Sequence, residues 1–142
     1  MTGSDQSTPH FLNPELHHVA LVVSDLDEAV ERYGELGFSG AERFSLREQA
    51  VEVATFRSGA GWIELIQPTD PKGPIARFLA KRGEGMHHVA YAVPVLRSAL
   101  QGLEAAGIRL IDSEPRTGAH GWQIAFIHPE SCGGVLIELV QE

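Results

Sequence analysis

The sequence predicts an α+β fold: two tandem βαβββ modules forming a cupped, eight-stranded mixed sheet with helices outside. Two observations carry this. The first is an internal repeat. ELHHVALVV at 15–23 returns as GMHHVAYAV at 85–93, and IELIQ at 63–67 returns as IELVQ at 137–141. The two matches keep their order, and Leu26, Ala29 and Gly37 recur as Leu96, Ala99 and Gly107. The second is size. A chain of 142 residues makes one domain, and half of it buries too little surface to stand alone. The two halves must therefore share a core.

The elements follow in order. Residues 1–14 are rich in Ser, Thr, Gly, Pro and Asp, without periodicity, and are expected to form a flexible tail. The segment 15–23 is short, apolar and β-branched, which predicts a strand. Ser24 or Asp25 then caps a helix with acids in its first turn. Leu26, Ala29, Val30 and Tyr33 share one face of it, and Gly37 ends it. Strands at about 40–46, 51–57 and 61–67 complete a first module of about 15–70, with a glycine turn at 59–61. A connector at 71–84 holds a short helix from Ile75 to Lys81. The second module, about 85–142, repeats the pattern: strand 86–93, helix 95–106, and strands 108–112, 122–127 and 134–141. Residues 15–142 thus form a single domain.

Composition narrows the function. Eleven Lys and Arg stand against 19 Asp and Glu, a formal net charge of −8. Such a chain is a poor partner for nucleic acid or an anionic membrane surface. No apolar run approaches the roughly 20 residues of a membrane helix, and no basic-then-apolar leader is present. Cys132 is the only cysteine, which excludes an intrachain disulfide and thiolate-rich zinc sites. A cytoplasmic location is expected.

The repeat isolates four polar residues inside apolar strands: His18, Glu64, His88 and Glu138. Two imidazoles and two carboxylates suit zinc, cobalt, manganese, nickel or ferrous iron. Four protein ligands on a six-coordinate ion leave two positions for a bidentate substrate, which is Lewis-acid chemistry. Strand alternation selects the second histidine of each pair. His18 shares its face with Ala20 and Val22, and His88 with Ala90 and Ala92, so small side chains leave room for a cavity. His17 and His87 share the bulkier faces and are expected to pack under the helices. Glu48 and Glu52 are carboxylates available as bases, or a solvated strand edge. The loop 128–134 can bring backbone amides to a phosphate or carboxylate, or is an ordinary turn. Residues 118–121 read as a flexible turn.

Taken together these features resemble the vicinal oxygen chelate superfamily and, within it, the methylmalonyl-CoA epimerase family. The resemblance runs through GPIARFL at 73–79, KRGEGMHH at 81–88, DSEPR at 112–116, and His128-Pro129 through CGGVLIEL at 132–139. It covers about residues 15–142. It implies a divalent metal ion (cobalt, manganese, zinc or nickel) held by His18, Glu64, His88 and Glu138. It also implies a homodimer and a coenzyme A thioester substrate, with coenzyme A contacts at Ser131, Cys132 and Gly133. The implied reaction interconverts the (R) and (S) forms of methylmalonyl-CoA, or a close 2-alkylmalonyl-CoA, through a metal-stabilised enolate. Glu138 would be one acid–base group and Glu52 or Glu48 the other. The chain departs from the family pattern at EQAVEV, 48–53. Ala50 stands where a glycine is usual, and Val53 stands where some members carry a glutamate proposed as the base. Glu52 is one residue off and so faces the other side of its strand. Glu130 replaces a common lysine. A glyoxalase I-like metal-dependent lyase and a metal-free small-molecule binding or resistance protein are the alternative activities of this fold.

Overall fold

A computed structural model describes residues 13–142; all but the last two residues of the expected tail lie outside the described residues. The elements are β1 (Glu15–Val22), α1 (Leu26–Glu35), β2 (Glu42–Leu46), β3 (Val51–Ser58), β4 (Gly61–Pro68), α2 (Pro74–Arg82), β5 (Gly85–Ala92), α3 (Leu96–Ala105), β6 (Arg116–Thr117), β7 (Gln123–Ile127) and β8 (Ile137–Gln141). The eight strands form one mixed sheet in the order β2-β3-β4-β1-β5-β8-β7-β6. β1 runs parallel to β4, and β5 parallel to β8. β1 and β5 meet antiparallel at the centre. The two modules therefore join edge to edge across their equivalent first strands.

The alternation of the strands sorts the core into two sides. On one, Val23, Ala54, Phe56 and Leu65 pack with Leu26 and Ala29 of α1. Val93, Ala125, Ile127 and Leu139 pack likewise with Leu96, Ala99 and Leu100 of α3. On the other, concave side lie Ala20, Ala90, Val51, Val53, Ile66, Ile124 and Val140, with Ala119 and Trp122 folded over them. Each large apolar side chain buried this way contributes roughly 1.5–3 kcal/mol. Asp25 caps α1 by accepting from the Glu28 N–H at 3.1 Å. Ser24 instead donates its N–H and hydroxyl to Glu84, at 2.8 and 3.0 Å.

The second repeated element does two jobs. Glu64 and Glu138 face the concave side. Three residues later, Gln67 Oε1 accepts the first N–H of α1, at Leu26 (2.7 Å). Gln141 Oε1 accepts the first N–H of α3, at Leu96 (2.8 Å). Both amides satisfy helix-end donors that no backbone carbonyl reaches.

One expected strand is not formed. Residues 108–112 pair with β7 only through a single bridge, Leu110 to Ile127. Ile111 and Asp112 both donate to the Phe126 carbonyl, and Asp112 Oδ2 then accepts the Phe126 N–H at 3.0 Å. The carboxylate takes the donor that a continuing ladder would need, and pairs with Arg116 at 3.0 Å. The sheet resumes only at Arg116–Thr117. The last strand begins at Ile137 rather than 134, because Gly133 and Gly134 both have positive φ and carry the chain through a turn.

Gln67→Ala and Gln141→Ala each orphan a helix-end N–H. Each should cost about 1 kcal/mol and lower Tm by about 4 °C, read by thermal denaturation followed by circular dichroism.

Candidate active site

The sheet register builds the site. His18 on β1 lies opposite Ala90 on β5, which lies opposite Glu138 on β8. His88 on β5 lies opposite Ala20 on β1, which lies opposite Glu64 on β4. Two rows, each reading His, Ala, Glu across three strands, run side by side in opposite senses. The alanine at each centre has no atom beyond Cβ, so the flanking histidine and glutamate can reach over it. All four polar residues are buried, with 2–7% exposure.

Their tips converge. His18 Nε2 lies 3.4 Å from His88 Nε2, 3.4 Å from Glu64 Oε2 and 3.2 Å from Glu138 Oε1. His88 Nε2 lies 3.7 Å from Glu64 Oε2 and 3.5 Å from Glu138 Oε2. An ion about 2.1 Å from each donor needs neighbouring donors roughly 3.0–3.4 Å apart. These residues could therefore hold a divalent cation, and nitrogen and carboxylate donors suit a borderline one. His18, Glu64 and His88 each bring one donor atom within 4.8 Å of the others; the Glu138 carboxylate lies beside both imidazoles, one oxygen facing each.

The electrostatics of the cluster are divided. Burial lifts the Glu138 carboxyl, with help from the neighbouring Glu64 charge, to about 7 against the pull of His18. Burial alone would lower His18, but hydrogen bonds to Glu138 and Glu64 outweigh it and raise its pKa to about 9. His88 is held well below its ordinary value by burial and by repulsion from His18 and His87. One histidine thus carries the proton that a cation would displace.

His17 and His87 do not pack under the helices as alternation predicts. A bulge falls at each: β1 skips a partner between Leu16 and His18, and β5 skips one between Met86 and His88. The extra residue breaks the two-residue period and turns each first histidine toward its neighbour. His17 Nδ1 lies 2.7 Å from His18 Nδ1, and His87 Nδ1 lies 2.8 Å from His88 Nδ1. His17 meets the Trp122 ring edge-on at 4.5 Å. The repeated doublet was the sequence signal for these two, but parity hid it.

Above the cluster opens a cavity of about 460 Å³ with walls from Val51, Val53, Ile66, Ile124 and Phe126. Glu64, His88 and Glu138 form part of its lining, and Glu48 reaches it from the turn after β2. Glu52 does not line it: it shares its strand face with Ala54 and Phe56, which pack toward α1. Ala50, where glycine is usual, takes the left-handed conformation at φ 56°. Residues 118–121 are pinned rather than loose. His120, at φ 58°, bonds Thr55 Oγ1 at 2.8 Å and stacks on Trp122.

A second groove shares Pro74, His87 and Leu136 with the cavity and runs along α2 past Arg77, Phe78, Lys81 and Arg82. Pro129 and Gly134 form its far wall. Ser131, Cys132 and Gly133 belong to the same turn but line neither hollow. Ser131 Oγ instead accepts the Arg109 N–H at 2.9 Å, and burial raises the Cys132 thiol.

Comparison with known proteins agrees with this geometry. Residues 17–126 match the family model of the Glyoxalase/Bleomycin resistance protein/Dioxygenase superfamily. Human mitochondrial methylmalonyl-CoA epimerase is 40% identical over 89% of this chain and 73% of its own. The ethylmalonyl-CoA/methylmalonyl-CoA epimerase of Cereibacter sphaeroides is 37% identical, over 89% of this chain and 96% of its own. A solved methylmalonyl-CoA epimerase in complex with methylmalonyl-CoA and NH4+ superimposes with a TM-score of 0.87 at 33% identity, covering 91% of this chain and 94% of that one. A duplicated βαβββ sheet, a buried His–Glu–His–Glu floor and these relatives together place the chain in the Glyoxalase/Bleomycin resistance protein/Dioxygenase superfamily.

Proposed function

We propose that this protein is a metal-dependent epimerase that interconverts the (R) and (S) forms of methylmalonyl-CoA or a close 2-alkylmalonyl-CoA. Its divalent ion would be held by His18, Glu64, His88 and Glu138. The observation that carries the reading is the convergence of those four buried donors, from matching positions of the two modules, at the floor of a cavity. An ion held there supplies positive charge where a thioester carbonyl and a neighbouring carboxylate gather negative charge as the α-proton leaves.

The chain's own residues do the rest. Epimerisation needs a proton removed on one face of the α-carbon and returned on the other. Glu138 on β8 and Glu48 beside β3 reach the cavity from opposite modules, as two-faced exchange requires. Glu52, turned toward α1, has no part in this reading. The apolar walls at Val51, Val53, Ile66 and Ile124 keep water from the reacting carbon.

The groove along α2 suits the coenzyme A end. Among the described residues Arg77, Lys81 and Arg82 pair with no carboxylate within 4.0 Å, in a chain of net charge −8. Unpaired cations beside a groove attract phosphates, and the turn carrying Ser131, Cys132 and Gly133 borders it. The same reading carries a homodimer, as the family resemblance implies, and a cytoplasmic setting.

Three outcomes are expected. Metal-loaded protein incubated with methylmalonyl-CoA in D₂O should place deuterium at the α-carbon, read by mass spectrometry. Chelator treatment or His88→Ala should abolish the exchange. A metal-bound protein that exchanges nothing sinks the substrate assignment and brings the glyoxalase-like lyase forward. Second, His18 must shed its proton to bind an ion, and its neighbours hold its pKa at about 9. Metal affinity should therefore climb by about tenfold per pH unit from neutrality until that value and then level off, as titration calorimetry would show. Third, Lys81→Ala combined with Arg82→Ala should raise KM for methylmalonyl-CoA about tenfold and leave kcat near its original value. An unchanged KM removes the groove from the substrate site.

A further inference from the structure

The two histidine doublets look alike in sequence but are wired differently. In the first, His17 Nε2 lies 2.7 Å from Glu142 Oε2. Glu142 follows β8, which places its side chain against the start of β1 across the doublet. His17 is almost fully buried, whereas Glu142 is half-exposed. In the second doublet, His87 has no carboxylate partner among the described residues; the Phe78 ring packs edge-on against it at 4.9 Å.

The hydrogen-bond inventory then assigns every proton in the first doublet. A carboxylate only accepts, so His17 Nε2 must carry the hydrogen facing Glu142. A neutral imidazole has one N–H, and the Glu142 bond claims it. Its Nδ1 is consequently a bare acceptor. The 2.7 Å contact between the two Nδ1 atoms needs one hydrogen, which must come from His18. A neutral His18 that donates through Nδ1 presents its Nε2 lone pair to the donor ring. No comparable anchor fixes His87, so nothing beyond His88 sets the proton between the two rings.

We propose that Glu142 and His17 are positioning residues that lock His18 in the metal-binding tautomer through two successive hydrogen bonds. The inference rests on the metal-centre reading above. Such a chain from carboxylate through imidazole to a ligating imidazole raises ligand basicity and fixes ring orientation. It also makes the His18 half of the ring the rigid reference and the His88 half the adaptable one.

The test uses zinc alone on the full chain. Zinc affinity is measured by competition with a chromophoric chelator, and the imidazole nitrogens of the zinc-loaded protein are read by long-range ¹H–¹⁵N correlation. In the unaltered protein His17 should show a protonated Nε2 and a bare Nδ1. Glu142→Ala should weaken zinc about tenfold and abolish the single His17 tautomer. Glu142→Gln, whose amide oxygen still accepts, should restore the tautomer and most of the affinity. Because Glu142 is half-exposed, neither change threatens folding. An affinity within twofold of the original in Glu142→Ala, with His17 unchanged, overturns the pairing and leaves the metal centre standing. An unaltered protein that binds no zinc at its histidines overturns both.

Discussion

Two carboxylates and two imidazoles, nearly sealed from water, must share a few ångströms at the bottom of a sheet. Burying such groups is costly unless they are paired with opposite charge, and the rest of the molecule is arranged to make the meeting possible. The central strands have to be antiparallel and in one register, so that each histidine faces the other module's row. Ala20 and Ala90 have to stay small. The bulges at His17 and His87 have to twist β1 and β5 without breaking them. α1 and α3 are pushed to the far side, where the large residues of the alternation find cover.

Much of this was legible because duplication repeats a constraint. A histidine or glutamate in one strand says little. The same residue at the same place in two modules, with alanine two positions on from each histidine, says that a face is being kept open. Parity turns Glu52 to the other side of its strand but leaves it a candidate base, and the structure keeps it out of the cavity lining. What parity could not reveal is where parity fails. The bulges are set by how β1 and β5 twist against each other, a long-range matter with no local mark, so His17 and His87 were placed on the wrong side. The strand expected at 108–112 fails for a different reason. Asp112 has a side chain that competes with the backbone for one N–H, and a pattern of apolar residues is blind to that competition. The amides of Gln67 and Gln141 were part of the visible repeat, yet their partners lie 41 and 45 residues away in the chain.

Symmetry governs the floor and asymmetry governs the approach. The connector occurs once, so α2 and its cations border one side of the cavity only. Module two has a two-residue β6 where module one has a five-residue β2. In its place the turn at 118–121 folds inward and is clamped by His120 against Thr55 and Trp122. A near-symmetric centre suits a reaction that must treat two faces of one carbon alike. A lopsided entrance gives a long, charged substrate one way to lie.

The pentapeptides IELIQ and IELVQ carry a consequence for how the chain avoids misfolding. Glu64 and Gln67, like Glu138 and Gln141, sit three apart in a strand and so point to opposite faces. A slip of β4 or β8 by one residue would bury a glutamate among the leucines under a helix and pull the glutamine away from the helix start it serves. Both errors would come at once, and neither could be relieved by moving a side chain. Each pentapeptide therefore acts as a key cut on both edges: a strand docked out of step is rejected from its two sides together, before any ion or substrate arrives.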